Sequence, residues 1–104
     1  MAGVSAIVVG TGGMARHHIR VMLDPRHRST LVGLVEVSAP QRAATRALFA
    51  ETGTPCPPFF GSIREWTRSG GRADAALIAT PHKFHFEHAR DCLSLGLDVL
   101  LEKP

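Results

Sequence analysis

The chain has 104 residues, 44% of them hydrophobic and 20% charged, and a formal net charge of +3 at pH 7. That length builds one domain, and no apolar run approaches the roughly 20 residues of a membrane-spanning helix, so a membrane partner is not expected. Ten of the twelve basic residues are arginines, but they are scattered and aromatics make up only 6%, which argues against a nucleic-acid platform while suiting an anionic ligand.

The first element, VSAIVVG (4–10), is a short apolar, β-branched run that reads as a buried strand. It is too short for a secretory h-region and lacks a basic flank. GGMARHHIRVML (12–23) follows with Met14, Ala15, Ile19, Met22 and Leu23 at helical spacing, and Asp24-Pro25 stops it. TLVGLVEV (30–37) reads as a second strand, and APQRAATRALFAETG (39–53) as a helix with Pro40 in its first turn and Gly53 at its end. In TPCPPFFGS (54–62) three prolines exclude a central strand and leave room for a short edge strand near Phe59-Phe60. SIREWTRSG (62–70) is a short helix with Ser62 as N-cap and Glu65 three residues on. DAALIAT (74–80) is a strand, HKFHFEHARDCLSLG (82–96) a helix closed by Gly96, and DVLL (98–101) a last strand.

The order β-α-β-α-(β)-α-β-α-β, with strands apolar throughout, predicts an α/β fold: one Rossmann-type, doubly wound parallel sheet of order 3-2-1-4-5. Cys56 and Cys92 form no C-x-x-C motif and are expected as two reduced thiols of a cytoplasmic protein.

Gly10-Thr11-Gly12-Gly13-Met14-Ala15 fits G-x-G-x-x-A at the junction of the first strand and first helix. Gly10 permits the tight turn, Gly12 lets the backbone approach a pyrophosphate, and Ala15 keeps the helix close to the sheet. The unpaired N–H groups of that helix would face the phosphates. Glu36, at the tip of the second strand, is placed to accept hydrogen bonds from the adenosine ribose hydroxyls. A carboxylate there repels a 2′-phosphate and favours NAD, while Arg42 nearby keeps NADP open.

Thr80-Pro81 ends the fourth strand across the switch point from the first, where open α/β sheets bind ligands. His85, Ala89, Cys92, Leu93 and Gly96 share one helical stripe with His82 at its N-terminal end. His82, His85 and His88 do not make a zinc site, since zinc takes three or four converging ligands and His88 falls at the stripe's edge. No metal is expected, and His85 is instead read as packed and hydrogen-bonded, holding the loop. Glu102-Lys103-Pro104 follow the fifth strand, so Glu102, Lys103, Thr80 and Gly10 should border one crevice. A lysine there can orient a substrate hydroxyl or share in moving its proton.

Together IVVGTGGMARHHIRVM, Glu36 and DAALIATPHKFHFEHARDCLSLGLDVLLEKP resemble the N-terminal half of the glucose-fructose oxidoreductase/inositol dehydrogenase (Gfo/Idh/MocA-like) family, over nearly the whole chain. The resemblance implies an NAD- or NADP-dependent oxidoreductase of sugars, polyols and related compounds. By matching position it implies that Gly10, Gly12 and Ala15 form the pyrophosphate turn, lined by Thr11, Gly13 and Met14. Glu36 takes the adenosine ribose, and Thr80, Pro81 and His85 shape the nicotinamide side. Lys103 becomes a binding and proton-relay residue near the substrate. His82 departs from the family, whose members often carry asparagine there. Members continue into a second α/β domain with most of the substrate pocket, a catalytic histidine and the usual homo-oligomer interface. Residues 1–104 are therefore expected to be one cofactor-binding domain of a larger enzyme, with Pro104 a truncation point and no turnover by this piece alone. Two other readings stay open: a stand-alone, non-catalytic dinucleotide-binding or regulatory module, and a methyltransferase using a similar glycine turn, against which the E-K-P lysine speaks.

Overall fold

A computed structural model describes residues 4–24, 26 and 29–101. Its elements are β1 (Val4–Val9), α1 (Gly13–Met22), β2 (Ser29–Val35), α2 (Ala39–Thr52), β3 (Phe59–Phe60), α3 (Ile63–Arg68), β4 (Ala75–Ile78), a 3₁₀ turn (His82–Phe84), α4 (His85–Ser94) and β5 (Asp98–Leu101). All strands are parallel, in the order β3-β2-β1-β4-β5, as the alternating pattern predicts.

The period-2 alternation of side chains divides the apolar residues into two layers. Ile7, Val9, Val35, Ala76 and Ile78 face Ile63, Trp66 and Cys92 of α3 and α4. Val8, Leu34 and Leu77 face Ala15, Ile19, Leu48 and Phe49 of α1 and α2. Both faces are thus covered, which is why the strands read as continuous apolar runs rather than as alternating ones. Between β1 and β2 the register slips by one residue, with Ala6 opposite Leu31 but Ile7 opposite Gly33. The missing side chain at Gly33 admits the Trp66 ring, since a Cβ there would lie 3.0 Å from the indole. The prolines of 54–58 confine β3 to two residues at the sheet edge.

The helix ends follow their capping residues. Ser38 accepts a hydrogen bond from Gln41 N (3.3 Å) and Gly53 closes α2 at φ 70°. Ser62 accepts from Glu65 N (3.0 Å), and the Glu65 carboxylate reaches back to Gly61 N (2.9 Å), one residue before the cap. The helix expected over 82–96 is shorter: residues after Pro81 first form the 3₁₀ turn, with Phe84 N donating to Pro81 O (2.9 Å). Phe84 then caps α4 without a side-chain acceptor. The predicted stripe on α4 is buried at His85 and Cys92, half-buried at Ala89, and exposed at Leu93 (61%) and Gly96.

Loops fall into two sets. The β1–α1, β2–α2 and β4–α4 connections leave the carboxyl edge of the sheet. The α2–β3 and α3–β4 connections return at the amino edge, where Asp74 accepts from Ser5 N (2.9 Å) and Ser5 Oγ (3.2 Å). No helix among the described residues is long and apolar enough to cross a membrane.

Candidate functional site

At the carboxyl edge the chain leaves β1 through Gly10, whose φ of 89° is a conformation that side chains rarely adopt. Gly10 N donates to Val35 O (2.7 Å). A Cβ on Gly10 would lie 2.9 Å from Ala79 C, Thr80 N and Thr80 Cγ2, so the turn lies directly against the end of β4. Gly12 differs: it is the N-cap of α1 with φ −69°, and a Cβ there meets no atom within 4 Å. The protein leaves the space before Gly12 empty, at the start of a helix whose N-cap offers no side-chain acceptor. The first N–H groups of that helix are therefore left for another acceptor.

A buried polar network holds this turn. Thr11, fully buried, donates from N to Glu36 Oε1 (2.7 Å), with its hydroxyl 3.3 Å from the same oxygen. Arg16 donates to Thr11 O (2.8 Å) and to the Gln41 side chain. The buried Thr45 hydroxyl donates to Gln41 O (2.8 Å). Glu36 Oε2 accepts from Ser38 N (3.0 Å), and Glu36 O accepts from Arg42 Nε (2.6 Å). The Glu36 carboxylate therefore ties the glycine turn to the start of α2. With about four lone-pair positions, it retains acceptor capacity on its half-buried side. The Arg42 guanidinium, held at the Glu36 carbonyl, also lies over the Phe59 ring, 5.3 Å from its centroid.

Across the crevice, His85 is buried and its Nε2 lies 2.7 Å from Thr80 O. A carbonyl only accepts, so His85 carries its proton on Nε2. The Thr80 hydroxyl lies 2.9 Å from His88 Nδ1, and the Phe84 ring stacks on His88 at 5.9 Å.

Between these walls lies a cavity of about 820 Å³, within the range of small-molecule and cofactor sites. Gly10, Gly12, Met14, Glu36, Thr80, Pro81 and His85, all expected from the sequence, line it. Thr11 and Ala15 do not: Thr11 is consumed in the network and Ala15 is buried against the sheet. Gly13 lines a separate groove of about 470 Å³ between α1 and α2. Glu102 and Lys103 lie outside the described residues. β5 ends at Leu101 opposite Ile78, at the same edge of the sheet. Sequence reasoning missed His88, Gln41, Arg64, Glu87 and Asp91 in the cavity wall. The signal for His88 was its place three residues after His85, which was read as the stripe's edge.

The cavity wall brings together more carboxylates (Glu36, Glu87, Asp91) than cations (Arg64). Among the described residues, no group of three or more histidine, cysteine or acidic side chains could hold a metal ion. The Cys92 thiol is pushed up from 9.0 to about 11, first by burial and then by Asp91, which leaves it protonated and unreactive. Burial also raises Cys56, with Arg46 acting against it.

Residues 4–104 match the Gfo/Idh/MocA model, described as an oxidoreductase family with an NAD-binding Rossmann fold. The chain belongs to this family. Gfo/Idh/MocA membership displaces the methyltransferase reading. The rhizopine catabolism protein MocA of Rhizobium meliloti is 34% identical over 97 residues, covering 93% of this chain and 28% of that protein. The WlbA dehydrogenase of Bordetella pertussis, solved with NADH and UDP-GlcNAcA, is 28% identical with a TM-score of 0.78, covering 98% of this chain and 29% of that one. The biliverdin reductase of Synechocystis sp. PCC 6803, solved with biliverdin and NADP+, is 30% identical with a TM-score of 0.75, covering 97% and 29%. The chain therefore spans less than a third of the length of these Gfo/Idh/MocA relatives.

Proposed function

We propose that the chain is the dinucleotide-binding domain of a larger NAD(P)-dependent oxidoreductase acting on a sugar, polyol or related compound. One observation carries this reading: Gly12, Glu36, Thr80 and His85, from three separate β–α connections, line one cavity whose floor is left clear at Gly12. The space a Cβ would fill at Gly12 suits a pyrophosphate, and the uncapped start of α1 supplies N–H donors to it. Gly10 and Met14 flank that position. The free acceptor capacity of Glu36 suits the adenosine ribose hydroxyls. Thr80, Pro81 and His85 border the opposite half of the cavity and shape the nicotinamide side.

The carboxylate-rich wall favours NAD over NADP, because a 2′-phosphate brings further negative charge beside Glu36. Arg42 is committed to the Glu36 carbonyl and the Phe59 ring, which also supports NAD. The NADP+ complex of the biliverdin reductase makes NADP the competing cofactor. When bound, the nicotinamide supplies hydride transfer. The chain's own share is to bind and orient the dinucleotide. Lys103, by the family resemblance, holds the substrate hydroxyl and shares in moving its proton. By the same resemblance, the rest of the substrate pocket and the surface for a homo-oligomer belong to a second α/β domain. Two free cysteines support a reducing, cytoplasmic setting.

Calorimetric titration of the chain with NADH and NADPH tests the reading. Saturable binding, tighter for NADH and lost in Gly12→Val, is expected. Failure of both nucleotides to bind, or equal binding by Gly12→Val, refutes it.

A further inference from the structure

We infer that His88 is a positioning residue for the cofactor: it fixes the Thr80 hydroxyl in the cavity wall, and its protonation state sets that hydroxyl's hydrogen-bond direction. The inference rests on the dinucleotide reading above and adds to it a residue that the glycine turn and the family resemblance do not assign.

Thr80 is clamped at three points. Its carbonyl accepts from His85 Nε2 (2.7 Å). Its methyl lies against the glycine turn, where a Cβ on Gly10 would come within 2.9 Å of Thr80 Cγ2. Its hydroxyl lies 2.9 Å from His88 Nδ1. The oxygen is therefore fixed in position, and only its proton can be redistributed. Both Thr80 and His88 are half-buried and both line the cavity. The Phe84 ring packs against the imidazole at 5.9 Å between centroids and an interplanar angle of 29°, and Lys83 Nζ lies 5.1 Å from the centroid of the Phe84 ring.

A hydroxyl has one proton and two acceptor positions. With His88 neutral and its proton on Nε2, the Thr80 hydroxyl donates to Nδ1. It then shows the cavity only lone pairs, which suit an amide N–H or a ribose hydroxyl. With His88 as imidazolium, Nδ1–H donates to the Thr80 oxygen. The hydroxyl proton is released toward the cavity and meets the same ligand donor head-on. Deprotonation thus favours a donor at this position, and protonation favours an acceptor such as a phosphate or carbonyl oxygen. The other charged groups in the same wall are Glu87 and Asp91 on α4, Arg64 on α3 and Glu36 after β2, with His85 one turn away on α4. A Thr80 ligand that donates is expected, because the nicotinamide carboxamide and ribose offer N–H and O–H groups on the side assigned to Thr80.

The test measures the Kd for NADH of the full chain from pH 5.5 to 8.5, by protein fluorescence, in the parent, His88→Gln, Thr80→Val, Thr80→Ser and the double variant. His88→Gln and Thr80→Val are each expected to weaken binding about three- to tenfold at pH 8, and Thr80→Ser, which keeps the hydroxyl but loses the methyl clamp, less than Thr80→Val. Wherever acidification protonates His88 the parent's affinity should fall, and that fall should be absent in His88→Gln. The double variant should bind no more weakly than Thr80→Val alone, since both remove one interaction. In the ligand-free chain at pH 8, the ¹⁵N shift of His88 Nδ1 should be that of an unprotonated nitrogen. If the parent binds neither NADH nor NADPH, the dinucleotide reading fails and this inference with it. If the parent binds, but His88→Gln keeps its affinity and pH profile, or the two single effects add in the double variant, the positioning role is overturned while the dinucleotide reading stands. Should His88→Gln fail to fold by circular dichroism, Thr80→Val and the Nδ1 shift carry the same decision.

Discussion

Gly10 and Gly12 stand two residues apart in one motif, yet the structure assigns them different physics. At Gly10 a side chain meets two obstacles. The φ of 89° imposes about 1–3 kcal/mol on a residue with a Cβ. The added carbon lies 2.9 Å from Ala79 C and Thr80 N, backbone atoms that cannot rotate away, and such overpacking costs about 1–3 kcal/mol more. Gly10→Ala should thus lose about 2–6 kcal/mol, a large part of the roughly 5–15 kcal/mol that holds a small domain folded. At a urea m-value of about 1.5 kcal/mol/M, a loss of about 3 kcal/mol lowers the unfolding midpoint by about 2 M. Gly12→Val adds a Cβ that meets no atom within 4 Å, at a φ of −69°. It should cost about 1 kcal/mol or less, from the poorer N-cap alone, while losing dinucleotide binding. Urea unfolding followed by circular dichroism, with NADH titration of the same samples, separates the two. Equal midpoints for both variants, or a Gly10→Ala midpoint at the parent's value, would refute the reasoning.

Glu36→Ala leaves the fully buried Thr11 N–H without its acceptor and should lower stability by about 1–3 kcal/mol in the same urea assay, besides reducing the preference for NADH over NADPH. The Cys92 thiol, raised to about 11 from 9.0, holds its proton more tightly folded than unfolded. Its contribution is therefore intact below pH 9 and is lost as pH rises from 9 to about 11. Unfolding midpoints should fall across that window by less in Cys92→Ala than in the parent, and a thiol reagent at pH 8 should label the exposed Cys56 before Cys92. Gly33→Val drives side-chain atoms into the Trp66 indole, already 3.0 Å from a Cβ at that position. The emission of the chain's one tryptophan should shift, with a loss of about 1–3 kcal/mol.

The strands and their order were legible because each buried strand is a short apolar run and each connection carries helical spacing. The glycine turn was legible because it stands at a strand–helix junction. What escaped were contacts between segments distant in sequence. Nothing in the chain text says that the Glu36 carboxylate is shared between Thr11 N and Ser38 N, since that depends on how closely the β1 and β2 tips approach. The sequence offers His88 only as a zinc ligand, and ligand count together with its place at the stripe's edge rejects that role. The 3₁₀ turn at His82–Phe84 rotates the start of α4, and Thr80 bends back far enough to reach His88. Leu93 shares the stripe of His85 and Cys92, yet it is exposed beside the four-residue edge strand β5. Gly33 read as a neutral member of a strand, and its role emerges only with the indole against it.

All of the candidate site hangs from one rim of the sheet, and the returning loops α2–β3 and α3–β4 line none of its cavity. The stretch around the exposed Cys56, between the closed end of α2 and the short β3, is therefore a tolerant place to splice in a tag, a reporter or a foreign module. Such a graft must leave the Phe59 ring in place under Arg42 and Arg46, because β3 pairs with the end of β2 just before Glu36; with that ring kept, the domain becomes a chassis for a sensor of its own ligand.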